Sequence, residues 1–276
     1  MNLVIQGLDI ATPDLKALAK LAHASGIEAM TPTAFRLTNA ETDPAIAPYC
    51  EEAKLDYAFV PDERMLEGLR LCVMDMDSTL ITIECIDEIA DMQGLKPQVA
   101  AITAAAMRGE LDFQQSLRRR VALLKGLDSS ALQRVYDERL KLSPGAEVML
   151  RKFRAFGVKT LLLSGGFTFF TERLKQRLNL DYTRSNTLEI ADGKLSGNVL
   201  GDIVDADVKR AALIEVRDRL GIYNAQIIAL GDGANDLKFM AEAGVSVAYH
   251  AKPVVRAQAT HALNHVGLDG VLNLFN

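Results

Sequence analysis

The sequence predicts an α/β fold: a doubly wound parallel sheet that carries an inserted helical cap and a small N-terminal α+β domain. Three short apolar runs, at 71–74, 161–163 and 227–230, are each followed directly by acidic, hydroxyl or glycine residues. Such runs are typical of parallel strands buried on both faces, and open α/β sheets bind ligands beyond the carboxyl ends of their strands. The residues that follow the three runs are therefore candidates for one shared site.

The first run leads into the motif DMDSTL at 75–80, which places Asp75 and Asp77 two residues apart. Residues i and i+2 lie on the same side of a strand, so the two carboxylates can act on one substrate. On its own, such a motif is explained more simply by a turn in which Asp and Ser side chains satisfy backbone donors. The motifs SGG at 164–166 and GDGAND at 231–236 favour the chemical interpretation, because they add a hydroxyl, further acids and an amide. A phosphoryl site needs such groups to cradle the anion and to hold a divalent metal ion.

The chain is predicted to divide into an N-terminal accessory domain at 1–64 and a core at 65–276. Alternating short strands and helices in the first segment favour a small α+β sandwich. The stretch 84–142 is helical in pattern and too long for one crossover between core strands, so it predicts a cap inserted over the strand ends. The remaining core elements are expected in this order: strand 158–163, helix 167–178, a hairpin turning at Asp192-Gly193, a helix after Asp207, and strands 226–230 and 244–248.

Composition and charge exclude several classes of protein. A chain of 276 residues, 49% of them hydrophobic, can bury one large core and a small further domain. A formal net charge of −5 without a basic arm argues against a nucleic-acid partner. There is no apolar run of about 18 residues and no signal sequence, so we expect a cytoplasmic protein without a membrane partner. Three cysteines without C-x-x-C spacing suggest neither disulfides nor zinc, and His261 and His265, at helical spacing, receive no role.

The motifs at 75–80, 164–166 and 231–236, with Lys209 before the last, resemble those of the haloacid-dehalogenase-like phosphatases, and within them the phosphoserine phosphatase family. The segments ECIDE at 84–88 and FQQSLRRRV at 113–121 add to the resemblance. It covers roughly residues 70 to 270. The first sixty residues carry no comparable motif and look like the ACT-like unit of some longer members. The resemblance implies a Rossmannoid core.

The resemblance also implies a role for each motif residue. Asp75 would attack phosphorus in line and form an aspartyl phosphate, while Asp77 would protonate the leaving oxygen and later deprotonate the attacking water. Mg²⁺ would be held by Asp75, Asp232 and the backbone carbonyl of Asp77, with Asp236 in or just outside the ligand set. The transferring phosphoryl oxygens would be bound by Ser164, the Gly165 amide, Lys209 and Asn235.

Substrate selectivity can be predicted from charge. Phosphoserine carries an ammonium and a carboxylate besides its phosphate, so a selective pocket needs one acid and one guanidinium, for which Glu84 and Arg120 are the candidates. A helix of 3.6 residues per turn places Arg120 at the border of the buried face and directs Arg118 and Arg119 to water. An interfacial arginine with a buried stem would give the same pattern. The candidate apolar walls are Met107 and Phe113.

The leading hypothesis is Mg²⁺-dependent hydrolysis of O-phospho-L-serine to L-serine and phosphate, the final step of a serine-making route. An alternative keeps the chemistry but changes the substrate to another small phosphomonoester such as homoserine phosphate, or transfers the phosphoryl group to an acceptor. A phospho-accepting receiver module uses a similar set of residues, but it needs neither the second aspartate nor a cap. The N-terminal domain has packing, homodimerisation and serine sensing as candidate roles.

Overall fold

The computed structural model describes all 276 residues except the side chain of Met107, so that candidate wall residue lies outside the described side chains. The chain forms two compact units. Unit 1 consists of Met1–Cys72, Ser143–Lys159 and Gly221–Asn276, and unit 2 consists of Val73–Leu142 and Thr160–Leu220. The division at 64/65 into an accessory domain and a core stays a prediction.

The first sixty residues form a four-stranded antiparallel sheet with two helices. The elements are β1 Asn2–Gln6, α1 Thr12–Leu21, β2 Gly26–Thr31, β3 Ala34–Thr38, α2 Ile46–Glu52 and β4 Asp56–Val60. The strand order is β2-β3-β1-β4. Alternation along β1 directs Leu3 and Ile5 to one face, where they are buried with Leu15 and Leu18 of α1. The small α+β sandwich predicted for this segment is confirmed.

Strand β5, Leu71–Asp75, is buried at every position, as its apolar run predicts. A turn at Met76–Leu80 follows, and then the helices α3 Cys85–Asp91, α4 Lys96–Met107, α5 Phe113–Leu123 and α6 Ser130–Glu138. Helix α5 begins with a capping box, in which the Asp112 side chain accepts the Gln115 N–H at 2.7 Å. Among the described residues, 84–142 contains these four helices and no strand, in agreement with the predicted cap.

The middle of the chain returns to alternating strands and helices. Its elements are α7 Ala146–Ala155, β6 Lys159–Phe167, α8 Thr168–Leu178, β7 Tyr182–Ala191, β8 Lys194–Leu200 and α9 Ala206–Leu220. In unit 2, β7 runs parallel to β6 and antiparallel to β8. The hairpin turns at Asp192 and Gly193, which both adopt positive φ, at 51° and 74°. A type I′ turn requires this conformation at both central residues, so the predicted Asp-Gly hairpin is confirmed.

The last part of unit 1 contains β9 Ile227–Gly231, α10 Leu237–Met240, β10 Val245–Tyr249, α11 Pro253–Arg256 and β11 His261–Leu263. These three strands are parallel, in the order β11-β10-β9. The helical spacing assumed for His261 and His265 was wrong, because pairing with β10 holds His261 in a strand. Arg64 donates to Nε2 of His261 at 2.6 Å, and burial together with this guanidinium lowers the pKa of His261 to about 4. The imidazole is therefore a neutral structural acceptor.

Cys50, Cys72 and Cys85 are all buried and free. Burial raises the pKa of each thiol, so none carries a reactive thiolate near neutral pH. Among the described helices, none has the length and apolar character that a membrane crossing requires.

Candidate active site

Asp75 and Lys209 form a buried ion pair in unit 2. Asp75 ends the buried strand β5 and is 5% exposed, while Lys209 lies in the first turns of α9 and is 1% exposed. The Lys209 ammonium donates to Oδ1 of Asp75. A charged side chain is buried at this depth only when a partner compensates its lost hydration. From sequence, a lysine in α9 is usually a solvated helix residue, and only the fold brings it to the strand end.

Asp77 is held at both carboxylate oxygens. Its Oδ1 accepts the backbone N–H of Cys85, the first residue of α3, at 2.8 Å, and its Oδ2 accepts the Ser164 hydroxyl at 3.1 Å. Burial raises the pKa of the Asp77 carboxyl, and the hydrogen bonds from Cys85 and Ser164 and the nearby Lys209 oppose that rise. The two aspartates of the motif thus lie in different environments, one paired with a cation and one held by neutral donors. Separate environments are what two carboxylates need for separate roles.

The SGG motif forms the irregular end of strand β6 and lies against Asp77. Ser164 is fully buried, and its hydroxyl accepts the Gly166 N–H at 2.8 Å while it donates to Asp77. A Cβ atom on Gly165 would lie 2.9 Å from the Phe113 ring, and one on Gly166 would lie 2.9 Å from both Asp77 Oδ2 and Ser164 Oγ. Close approach of neighbouring atoms therefore requires glycine at both positions. Phe113, a candidate wall, lies against Gly165.

Replacing Gly166 with Ala is expected to lower kcat by roughly 10²-fold, because the added methyl must displace Asp77 or Ser164, and a misplacement of about 1 Å costs about that much. The measurement is steady-state phosphate release. Gly68→Ala is the matched control, since a Cβ there meets no atom within 4 Å. A Gly166→Ala enzyme with unchanged kcat would contradict the close packing described above.

Glu84 and Arg120 belong to the cap part of unit 2. Glu84 precedes α3, and its Oε1 accepts the Ser78 hydroxyl at 2.8 Å, with Ser78 at a positive φ of 57°. Arg120 is partly buried and its two neighbouring arginines are exposed, as the helical pattern predicts. Its Nε is buried and has no hydrogen-bond partner among the described residues. Burial lowers the pKa of Arg120, and the negative charges of Asp87, Glu84 and Asp77, in that order of size, oppose the shift. The cap therefore supplies an acid and a guanidinium to the same region.

The GDGAND segment follows β9 in unit 1. Asp236 is completely buried, its Oδ2 accepts the Gly233 N–H at 3.1 Å, and its Oδ1 accepts the Asn235 side-chain amide at 3.1 Å. Asp236 thus shapes the loop that carries Asp232 and Asn235. Unit 1 thus offers two acidic side chains that could serve as metal ligands, Asp232 and Asp236, and Asp75 is the acidic candidate in unit 2. Carboxylate oxygens are hard donors and fit a divalent cation such as Mg²⁺ or Ca²⁺.

These features define a class of protein. One aspartate is paired with a lysine, and a second aspartate accepts hydrogen bonds from a serine hydroxyl and a backbone N–H. With the glycine-rich end of β6, these groups are the parts of a phosphoryl-transfer enzyme that uses a carboxylate nucleophile.

Comparison with known proteins agrees with that class. Residues 69–244 match the family model of the haloacid dehalogenase-like hydrolases. A phosphoserine phosphatase of Polaromonas sp. is 56% identical over 214 residues, which are 76% of this chain and 91% of the relative. The chain belongs to the haloacid dehalogenase-like hydrolases and, within that family, to the phosphoserine phosphatases. Residues 3–46 match a domain of unknown function, DUF4072.

Solved structures extend the likeness to the whole chain. The unliganded crystal structure of a probable phosphoserine phosphatase from Vibrio cholerae has a TM-score of 0.87 and 40% identity, and the match covers 99% of this chain and 85% of that one. A haloacid dehalogenase family hydrolase from Salmonella enterica serovar Typhi has a TM-score of 0.88 and 37% identity, and covers 100% and 99%. The predicted α/β fold with its doubly wound core, helical cap and N-terminal α+β part is confirmed, and the protein is an enzyme of the phosphatase class.

Proposed function

We propose that the protein hydrolyses O-phospho-L-serine to L-serine and phosphate with Mg²⁺, as the last step of a serine-making route. The observation that carries this proposal is the different environment of the two motif aspartates. Asp75 forms an ion pair with Lys209, whereas Asp77 accepts hydrogen bonds from the Ser164 hydroxyl and from the backbone N–H at the start of α3. The first is suited to stay ionised and attack, whereas the second is suited to hold a proton and deliver it.

The first chemical step transfers the phosphoryl group to the protein. A carboxylate oxygen of Asp75 attacks phosphorus, the bond from phosphorus to the serine oxygen breaks, and Asp77 gives its proton to that oxygen. Lys209 orients Asp75 and offsets negative charge at the reacting centre. Ser164, the Gly165 amide, Lys209 and Asn235 bind the phosphoryl oxygens in this scheme.

The second step reverses the role of Asp77. Its carboxylate, now deprotonated, takes a proton from water, the water oxygen attacks phosphorus, and the acyl phosphate bond to Asp75 breaks to release phosphate. The proton that Asp77 gains restores the starting state. Its fixed orientation, with both oxygens held, suits both directions of proton transfer.

The donor set Asp75, Asp232 and the Asp77 carbonyl, with Asp236 close to it, is proposed to hold Mg²⁺. When bound, the ion offsets the repulsion between an anionic nucleophile and a dianionic phosphate. The chain's own contribution is an acidic loop that Asp236 shapes from inside.

Substrate recognition is assigned to Glu84 and Arg120. The buried Nε of Arg120 offers a hydrogen-bond donor for the substrate carboxylate, and Glu84, oriented by Ser78, offers a partner for the substrate ammonium. The two charges match the two ends of an amino acid.

Replacing Glu84 with Ala is expected to lower kcat/KM for phosphoserine by about 10²-fold, because a hydrogen bond to a charged group contributes about 1.5–3 kcal/mol. Hydrolysis of phosphoglycolate, which has no ammonium, should change little. Glu138→Ala is the control, because Glu138 also lies in the cap and pairs with Arg134 on an exposed face of α6. Equal losses on both substrates would remove Glu84 from the recognition of the ammonium.

The proposal as a whole is tested by phosphate release from L-phosphoserine with Mg²⁺ and with EDTA, beside phosphothreonine, phosphoglycolate and homoserine phosphate. Mg²⁺-dependent turnover confined to phosphoserine supports it. Preference for another substrate would keep the chemistry but assign a different phosphomonoester, and phosphorylation without turnover would indicate a receiver-like switch.

A cytoplasmic location, the absence of a nucleic-acid partner and a homodimer are further parts of the proposal. Serine sensing by the N-terminal segment has to be tested on the full chain. The Asp56 carboxylate accepts the backbone N–H groups of Asn264, His265 and Val266 within unit 1, at 2.7, 2.9 and 3.2 Å. Deleting the first 62 residues would remove this carboxylate and leave the three backbone N–H groups without their acceptor. A loss of serine inhibition in a truncated protein could then result from lost stability rather than from a lost serine site.

A further inference from the structure

Asn186 is a buried amide in β7 that has no role in the scheme above. It is 1% exposed. Its Nδ2 donates to the Gly165 carbonyl at 2.8 Å, and its Oδ1 accepts the Val204 N–H at 2.8 Å. A carboxylate cannot donate and an aliphatic side chain can do neither, so this position uses both halves of an amide.

The strand register explains why Gly165 needs a side-chain partner. Along the parallel pair β6 and β7, Leu163 is opposite Arg184 and Phe167 is opposite Asn186, so β6 advances four residues while β7 advances two. The residues between Leu163 and Phe167 therefore leave the regular ladder and lose its hydrogen bonds. A partly buried backbone carbonyl outside the ladder needs another donor, and Asn186 supplies one to Gly165.

One peptide plane connects this contact to the reacting groups. The Gly165 carbonyl and the Gly166 N–H belong to the same planar unit and point in opposite directions. The Gly166 N–H donates to Ser164 Oγ, and Ser164 Oγ donates to Asp77. Holding the carbonyl therefore also holds the hydroxyl that orients the proposed acid.

The other half of the amide holds the start of α9. Val204 precedes Asp205, whose Oδ1 accepts the N–H groups of Asp207 and Val208 at 3.0 and 3.1 Å and whose carbonyl accepts the Lys209 N–H at 2.9 Å. Lys209 then reaches Asp75. Asn186 thus connects the SGG segment of β6, which orients Asp77, to the start of α9, which places Lys209.

We propose that Asn186 is a positioning residue that sets the spacing between the SGG segment at the end of β6 and Lys209. Both groups then contact the transferring phosphoryl group at the same time. The proposal rests on the proposed function, because it assumes that these two elements act on one phosphoryl group. It assigns Asn186 no contact with the substrate.

The test compares Asn186→Asp and Asn186→Leu, which have nearly the same shape as Asn, with Thr171→Val. Thr171 is also fully buried and shares a hydrogen bond of 2.7 Å with Ser185, the neighbour of Asn186 in β7. Thr171→Val therefore removes a buried side-chain hydrogen bond of similar depth that does not involve the SGG segment. All variants are assayed at a temperature at which circular dichroism shows each to be folded.

Both Asn186 variants are expected to lose about 10–10²-fold in kcat with a much smaller change in KM. Their affinity for orthovanadate, which mimics the transferring phosphoryl group, should fall by a similar factor, whereas inhibition by L-serine should not change. Thr171→Val should lower the melting temperature and leave kcat and vanadate affinity unchanged.

Wild-type kcat in both Asn186 variants would overturn the proposal, as would equal losses of vanadate and serine affinity. Failure of both variants to fold would assign Asn186 to stability and would overturn it too. Turnover of p-nitrophenyl phosphate by the same variants separates a failure of the proposed function from a failure of the proposed role of Asn186. If the wild-type protein hydrolyses this ester but not phosphoserine, the proposed substrate fails while the Asn186 comparison still applies.

Discussion

Replacing Asp75 with Asn is expected to abolish phosphoenzyme formation and to lower kcat by at least about 10⁴-fold, the size of loss seen when a catalytic nucleophile is removed. An amide oxygen is a far weaker nucleophile than a carboxylate, and the ion pair with Lys209 is lost at the same time. The measurement is acid-quenched intact-mass analysis after mixing with phosphoserine and Mg²⁺. Asp218→Asn is the control, because Asp218 lies at an exposed end of α9 with its side chain 63% exposed.

Asp77→Asn separates the two carboxylates. This variant keeps the ion pair of Asp75 with Lys209, but residue 77 can no longer give or take a proton. Because the leaving group of p-nitrophenyl phosphate needs no proton, the variant is expected to form a phosphoenzyme from this ester. Hydrolysis of that phosphoenzyme should be slow, since the base is missing. Phosphorylation of the Asp75→Asn protein at another residue would contradict the assignment of Asp75 as the nucleophile. Rapid dephosphorylation of the Asp77→Asn protein would contradict the role of Asp77 as the base in the second step.

Replacing Lys209 with Met is expected to lower kcat by about 10²–10³-fold, the loss typical of one fixed electrostatic contact in a site closed to water. The methionine fills similar space, so the loss reports the missing charge. Lys209→Arg should not restore activity, because a planar fork differs from a compact ammonium in a site where the side chain is 1% exposed. Phosphate release and orthovanadate affinity are the measurements.

Lys209 is also expected to affect the free energy of unfolding, and variants of Lys209 and Asp75 test whether the two side chains are energetically coupled. Lys209→Met alone deprives the buried Asp75 of its cation and should lower the free energy of unfolding by about 3–5 kcal/mol. The double variant Asp75→Asn with Lys209→Met should recover most of that loss without recovering activity, since replacing both members of a buried pair is often nearly neutral. Chemical unfolding in EDTA measures this. Additive losses would show that the two side chains are not coupled.

Several parts of this site could be predicted from sequence because they depend on local pattern. The apolar run of β5 ends at Asp75, so a carboxylate had to lie at a buried strand end. The helical period of α5 separated the partly buried Arg120 from its two exposed neighbours. The hairpin at Asp192-Gly193 followed from the positive φ angles that this dipeptide tolerates. The failure at His261 has the opposite cause, because pairing with β10 prevailed over a local spacing that looked helical.

By itself, the sequence determined which elements form and which of their faces are buried, because apolar periodicity and turn chemistry act over a few residues. It did not determine which buried polar groups meet. Lys209 reaches Asp75 across 134 positions of the chain, and Asn186 joins Gly165 to Val204 across 21 and 18. Local pattern cannot encode such partners. They are chosen only when the folded chain excludes water, because each buried donor and acceptor must then find another protein group to replace it.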